Sequence, residues 1–493
     1  MTRAATGAQP GTLHSMHAPT RPFIDGDFRD GGRGRPAALI NPATEETWCE
    51  VAGADADAVG TAVAGAHRAF EQTWRDLAPG KRADILFAIA RLVRQNAEEL
   101  AWLDVRSVAK PISDARDEVA LGARVFEYYA GAVGKFFGQT IPVARGGFDF
   151  TIRQPMGVVA AIVPWNFPFP ITCWKVAPAL AAGNCVVLKP AQVSPVSALR
   201  LAALAAEAGL PAGALQVLPG PGGEVGEALV KHPLVRKVSF TGSTEVGRRI
   251  METAAGDLKR LSLELGGKSP NIVFADADVE QAAAGSPMSV FANAGQDCCA
   301  RSRVFVERPV FEKFVERFVE ATRAIVVGDP SRDTTQVGPL VTATQRETVE
   351  GYIRSASERR HRVAFGGNRP GGMGKGYYLN LTVVLGCEPS DKVWREEVFG
   401  PVVCVRPFDD EEQMLREVND SPYGLSGSLW TNDLKRALRV ARRVESGVLS
   451  VNSHSSVHVE APFGGFKQSG VGRDLGMSAM EGYTELKNVY VAD

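Results

Sequence analysis

Between Asp55 and about Gly138, apolar residues recur at helical spacing in alanine-rich segments such as DAVGTAVAGAHRAFEQTW and KRADILFAIARLVRQNAEELAWL. The pattern predicts long amphipathic helices flanking a sheet. From Gly157 the texture changes to short apolar runs, GVVAAIV, CVVLKP, LQVLP and KVSF. Helix-like segments stand between and after them: ITCWKVAPALAAG, VSALRLAALAAEAG, GGEVGEALVK and TEVGRRIMETAAG. Such alternation argues for βαβ units and a parallel sheet covered on both faces, hence a doubly wound nucleotide-binding domain. A second series runs from about Asn271 to Gly465, with strands SRVFVE, RVAFGG, LTVVL, PVVCVRPF and SGSLW. Its helices are VFEKFVERFVEATRAI, TATQRETVEGYIRSASE and DLKRALRVARRV, and it reads as a second α/β domain. The β-rich YTELKNVYVAD and its candidate partner DFTIRQPMG (149–157) have no sheet in their own domains, which suggests an edge contact with another subunit.

Composition narrows the class of function. A chain of 493 residues that is 45% hydrophobic has material for two to four domains. With 55 basic and 56 acidic residues and a net charge of −1, there is no electrostatic reason to expect nucleic acid or an anionic membrane, and a small-molecule partner is expected. The most apolar stretch, Gly157 to Leu188, is interrupted by Pro164, Asn166, Pro168, Pro170, Lys175, Pro178 and Asn184, so it reads as core and not as a bilayer span. Seven scattered cysteines form neither a disulfide scaffold nor a zinc pattern, which fits a reducing, cytoplasmic compartment. Residues 1–20 read as a disordered leader.

The chemistry concentrates in two segments. Cys298 and Cys299 lie in FANAGQDCCARSR (291–303), 34 residues after Glu264 in LELGGKSPNIVF (263–274). A thiol and a carboxyl are the parts needed to make and hydrolyse an acyl-enzyme. Gln296 and Asp297 before Cys298, and Arg301 after it, are no apolar core, whereas Cys299 reads as a small buried hydrophobe. In IVPWNFPFP (162–170) prolines fix the backbone around Asn166; its amide is either an oxyanion donor or a turn asparagine. FTGSTEVGRR (240–249) is a strand end, a glycine turn and a helix start whose free N–H groups suit a pyrophosphate, or a plain capped helix; only Gly242 and Gly247 match the commoner glycine fingerprint. Lys189, in VVLKPAQVSP, ends a candidate buried strand and is either a ligand contact or a solvated loop lysine. His454 and His458 lie four apart in a loop-like or strand-like segment, and no metal site is expected.

Together PWNFP, LKPA, FTGSTEVG, LELGGKSP, GQDCC, EEVFGPV (396–402) and PFGGFKQSGVGR (462–473) follow the order and approximate spacing of the aldehyde dehydrogenase superfamily. From about Phe23 to the C-terminus the chain resembles that family. The resemblance implies two doubly wound Rossmann-like α/β domains plus a small β oligomerisation element. Its pieces would be a cofactor-binding domain (21–141 and 159–265), a catalytic domain (266–465) and an oligomerisation element (142–158 and 478–493), in a homodimer or homotetramer. It also implies oxidation of an aldehyde to a carboxylic acid with NAD or NADP, through a thiohemiacetal and a thioester. Cys298 then resembles the nucleophile, Glu264 the general base, and Asn166 the oxyanion donor together with the Cys298 N–H. Lys189 would meet the adenosine ribose, Ser243 and the helix after Gly242 the pyrophosphate, and Glu397 the nicotinamide ribose. Phe399 would lie beside the nicotinamide, Trp165 along the cofactor cleft, and Trp174 in the aldehyde tunnel.

Three departures individualise the chain. Gln192 stands where many NAD-preferring relatives carry a glutamate, removing a charge that would repel a 2′-phosphate near Lys189. Asp297 precedes the nucleophile and either turns away to a backbone or arginine partner or serves as counter-charge to an amino- or ammonium-aldehyde substrate, with Glu460 as a second one; His454 either faces the substrate entrance or is a solvated or core-satisfied histidine. Asp474 replaces a longer glutamate and is left off the catalytic set. The competing readings are a CoA-acylating or semialdehyde dehydrogenase of the same superfamily, or a non-catalytic binding or structural paralogue. A retained Glu264 opposes CoA transfer, since a base for water would waste the thioester. The joint presence of Cys298, Glu264, Asn166, Lys189 and Glu397 opposes the paralogue.

Overall fold

The computed structural model describes residues 18–493, so the expected leader over 1–20 lies outside the described residues except for its last three. Five short apolar runs form the parallel centre of an eight-stranded sheet, in the order Arg260–Glu264, Val235–Thr241, Val158–Ile162, Cys185–Lys189, Leu215–Val217. Every residue of Val158–Ile162 and Cys185–Lys189 is buried, which is why these strands read as unbroken apolar runs. The chain order reverses beside Val158–Ile162, opening a crevice at the carboxyl ends of that strand and of Val235–Thr241. Phe23–Ile24 and Asp27–Phe28 close one edge, and Gly470–Val471 closes the other by pairing antiparallel with Leu263 and Glu264. The helix Pro168–Ala181 is buried along its whole length and packs against Ile112–Ala132.

A second sheet of seven strands is parallel except for Arg362–Phe365 at its edge; its middle strands are Arg303–Glu307 and Pro270–Val273. Thr484–Val491 pairs antiparallel with Phe148–Pro155 over eight residues, and Thr140–Ile141 completes a separate three-stranded sheet. Phe148, Leu486, Tyr490 and Val491 are exposed on it. No helix among the described residues is long and apolar enough to cross a membrane.

Two features differ from the pattern-based expectation. The periodic run from Lys81 to Leu103 is divided between the helices Pro79–Gln95 and Ala97–Val108. Asn96 breaks it, its side-chain amide donating to the Leu92 carbonyl at 2.8 Å and competing with continued helix. The hairpin Gly34–Asn41 with Glu46–Gly53 was not anticipated, because its positions are mostly exposed or half-buried and lack clean alternation.

Candidate active site

The crevice at the strand ends is a cavity of about 370 Å³ lined by Trp165, Lys189, Gln192, Phe240, Thr241 and Gly242, among others. Ser243 caps the helix Thr244–Ala255 by accepting from the Val246 N–H, leaving the first turn facing this crevice. Lys189 is 6% exposed with no hydrogen bond or carboxylate partner among the described residues, and burial lowers its pKa to about 8. A buried amine without a partner fits a ribose hydroxyl arriving with a dinucleotide. Gln192 is exposed at the rim. Phe399 adopts a left-handed conformation (φ +52°), uncommon for a bulky residue, and its ring meets Trp165 edge-on at 5.4 Å. Glu397 accepts the Gly267 N–H at 3.0 Å, and burial raises its pKa to about 7.

The candidate nucleophile sits on a strained loop. Asn293, Ala294 and Gly295 are successive left-handed residues, and the turn is tied by side chains absent from the sequence-based site. The Asn293 amide donates to the Asn166 carbonyl at 2.8 Å, while Gln296, 1% exposed, donates to the Asn293 carbonyl and accepts the Val341 N–H. Asn166 donates one amide hydrogen to the Gln296 carbonyl at 2.9 Å, leaving its second for another acceptor. The Cys298 N–H is likewise uncommitted among the described residues. The glycines of LELGG are explained here: a Cβ on Gly267 would lie 2.1 Å from the Cys298 carbonyl oxygen, and one on Gly266 2.4 Å from Glu397 Oε2. The neighbouring Cys299 thiol, burial, and the charges of Asp297 and Glu397 together hold the Cys298 pKa well above the ordinary thiol value.

Glu264 ends its strand 3% exposed, with both carboxyl oxygens unpartnered. Its pKa is pushed well above the carboxylate range, first by burial and then by Asp474, with Lys175 and Arg473 opposing. Asp474 belongs beside the site after all: it lines the same cavity as Glu264 and pairs with fully buried Lys175 at 2.9 Å. Lys175 also donates to Ser239, which accepts from the Tyr483 hydroxyl.

Cys298 and Glu264 share a cavity of about 260 Å³ whose apolar wall is Leu121, Phe167, Ile171, Trp174, Val457 and Phe463. Trp174 meets Phe463 edge-on at 5.4 Å. Asp297 reaches this cavity, yet its Oδ1 accepts the Cys299 N–H at 2.8 Å and so braces the loop. Glu118, unforeseen from the sequence, also lines the cavity; it pairs with Lys110 while its Oε2 is unpartnered, and burial lifts its pKa to about 8.

Two expected positions are corrected. His454 is outside this lining: its ring nitrogens meet Ser286 at 3.2 Å and Ser428 at 3.0 Å, and burial lowers its pKa to about 3. Ser456 and Val457 reach the cavity instead, because the loop turns the histidine inward. Glu460 is exposed, pairs with Arg124 at 2.9 Å and is also outside the lining.

A doubly wound crevice with an unpaired lysine, turned toward a second α/β domain that presents a thiol, is the architecture of a dinucleotide-dependent oxidoreductase. The model of the aldehyde dehydrogenase family matches residues 28–489. An aldehyde dehydrogenase of Aspergillus niger is 41% identical over 469 residues, covering 95% of this chain and 94% of its own. Among solved structures, a mutant of the P. syringae indole-3-acetaldehyde dehydrogenase AldA in complex with NAD+ and IAA superposes with a TM-score of 0.96 at 40% identity, covering 98% of each chain. The NAD+ complex of an aldehyde dehydrogenase from Bacillus cereus gives a TM-score of 0.95 at 39% identity, covering 98% of this chain and 99% of that one. The chain belongs to the aldehyde dehydrogenase family, and it is an NAD(P)-dependent enzyme of the fold class expected from its sequence.

Proposed function

We propose that the chain oxidises aldehydes to carboxylic acids by covalent catalysis on Cys298. The observation that carries this reading is the single cavity walled by both Cys298 and an unpartnered Glu264. The Cys298 thiolate adds to the carbonyl carbon, and the carbonyl electron pair moves to oxygen. The free amide hydrogen of Asn166 and the Cys298 N–H are the donors for that oxyanion. When bound, the nicotinamide supplies a hydride acceptor. Collapse of the oxyanion expels the carbon-bound hydride and leaves a thioester on sulfur. Glu264 then takes a proton from water as it attacks the thioester, and the acid departs as the Cys298 thiolate returns. A base free for water supports hydrolysis over transfer to CoA.

For the substrate, the aromatic and aliphatic wall supports an aldehyde with an apolar body, aryl-acetaldehydes included. A second reading, an amino-aldehyde, is favoured by the unpartnered Glu118 oxygen and by Asp297 in the same cavity. Kinetics with indole-3-acetaldehyde, phenylacetaldehyde, hexanal and 4-aminobutanal separate the two. The first reading expects kcat/KM for the apolar aldehydes at least about tenfold above that for 4-aminobutanal; the reverse order selects the second. At the crevice rim, neutral Gln192 near Lys189 supports use of NADP as well as NAD. The expectation is a kcat/KM for NADP within about a thousandfold of that for NAD, and a larger gap removes the argument. Seven free thiols fit action in the reducing cytoplasm. The exposed apolar face of the three-stranded sheet supports assembly as a homodimer or homotetramer.

A further inference from the structure

Arg301 enters none of the steps above, yet its placement is unusual for a cation. It is 2% exposed and has no carboxylate within ion-pair distance among the described residues. Its Nη1 donates to the Cys299 carbonyl at 2.6 Å, and its Nη2 to the Gly427 and His454 carbonyls at 3.4 Å each. Its Nε has no partner. A buried guanidinium held only by main-chain carbonyls is costly unless an anion stands near, and the carboxylate whose charge acts on it is that of Asp297.

The need for such a charge is visible around Cys298. The groups acting on that thiol are Cys299, Asp297 and Glu397, and each opposes its ionisation. Glu264, Asp474 and Glu118 line the same cavity. Of the lysines nearby, Lys175 is paired with Asp474 and Lys110 with Glu118. His454, whose carbonyl accepts from Arg301, carries no charge near neutral pH because burial lowers its pKa to about 3. Arg301 is thus a buried cation next to the nucleophile loop without a carboxylate of its own among the described residues, and the one bonded to that loop's Cys299 carbonyl; Arg303 and Lys268 are also buried without a carboxylate partner, but Arg303 bonds the Lys268, Glu417 and Val418 carbonyls.

We infer that Arg301 is a positioning residue: it fixes the nucleophile loop through the Cys299 carbonyl, and its unpaired charge favours the Cys298 thiolate by offsetting Asp297. The inference rests on the reading of Cys298 as nucleophile, which is tested separately by loss of activity in Cys298→Ala.

The experiment follows the rate of Cys298 alkylation by iodoacetamide against pH, by peptide mass spectrometry, in the full chain carrying Cys299→Ala. Arg301→Gln keeps a donor for the Cys299 carbonyl but removes the charge, and Arg301→Lys keeps the charge. The expected result is a midpoint about one pH unit higher in Arg301→Gln, with alkylation about tenfold slower at pH 7, and a midpoint in Arg301→Lys within a few tenths of a unit of the parent. Asp297→Asn with Arg301 intact should move the midpoint down by about one unit, which keeps the test available if the glutamine variant does not fold. A merely structural arginine would lower the plateau rate and leave the midpoint in place. An unchanged midpoint in Arg301→Gln, or in Asp297→Asn, overturns the inference.

Discussion

Cys298→Ala is expected to lose aldehyde oxidation by a factor of about 10⁴ or more in kcat while binding NAD as the parent does. The size of the loss follows from the route: without a sulfur there is no thiohemiacetal, so neither Asn166 nor the Cys298 N–H has an oxyanion to hold. Cys299 is no substitute, because it is 5% exposed and its N–H is bound to Asp297. Cys299→Ala should therefore keep activity within about tenfold of the parent. Steady-state formation of reduced cofactor from an aldehyde, with cofactor binding followed by fluorescence, checks both.

Glu264→Gln is expected to uncouple the two halves of the reaction. The amide keeps the shape of the carboxyl but takes no proton from water, so acylation proceeds and hydrolysis slows by about 10²- to 10⁴-fold. Rapid mixing with aldehyde and excess NAD should give a burst of reduced cofactor approaching one equivalent per site, followed by a stall. The pH dependence has a definite sign. Cys298 and Glu264 must both be deprotonated to act, and both are held above their ordinary pKa values, by the Cys299 contact and burial for the thiol and by burial for the carboxyl. Activity in the parent should therefore rise with pH, and the rise should extend above the ordinary titration ranges of a carboxyl and a thiol. The part of that rise due to Glu264 should be missing from the residual turnover of Glu264→Gln.

Much of the scaffold was legible because burial on both faces turns parallel strands into continuous apolar runs, as in Val158–Ile162 and Cys185–Lys189. The hairpin over 34–53 escaped notice because it is largely solvated, and the break at Asn96 because a single side-chain bond decides it. In the site, Glu264, Cys298 and Trp174 line one cavity, and each stands in a local motif. Gln296 and Arg301 read only as the polar setting of Cys298, and Asn293 carries no role, since their contacts depend on segments far along the chain or on backbone carbonyls. Left-handed Asn293 and Gly295 gave the only local signal, an asparagine and a glycine in ANAGQ. From sequence the short side chain of Asp474 argues against an auxiliary role, yet the buried helix Pro168–Ala181 brings Lys175 to it. His454 and Glu460 were misplaced because sequence spacing in a loop says nothing about which way a side chain turns.

The most direct test of the account is to capture the intermediate it requires. Glu264→Gln, mixed with an aldehyde and NAD and quenched in acid after the burst, should carry one acyl group per chain on the peptide containing Cys298, adding to it the mass of the aldehyde less two hydrogens. Release of reduced cofactor without that adduct, or with the acyl group on Cys299 or any other residue, would contradict it.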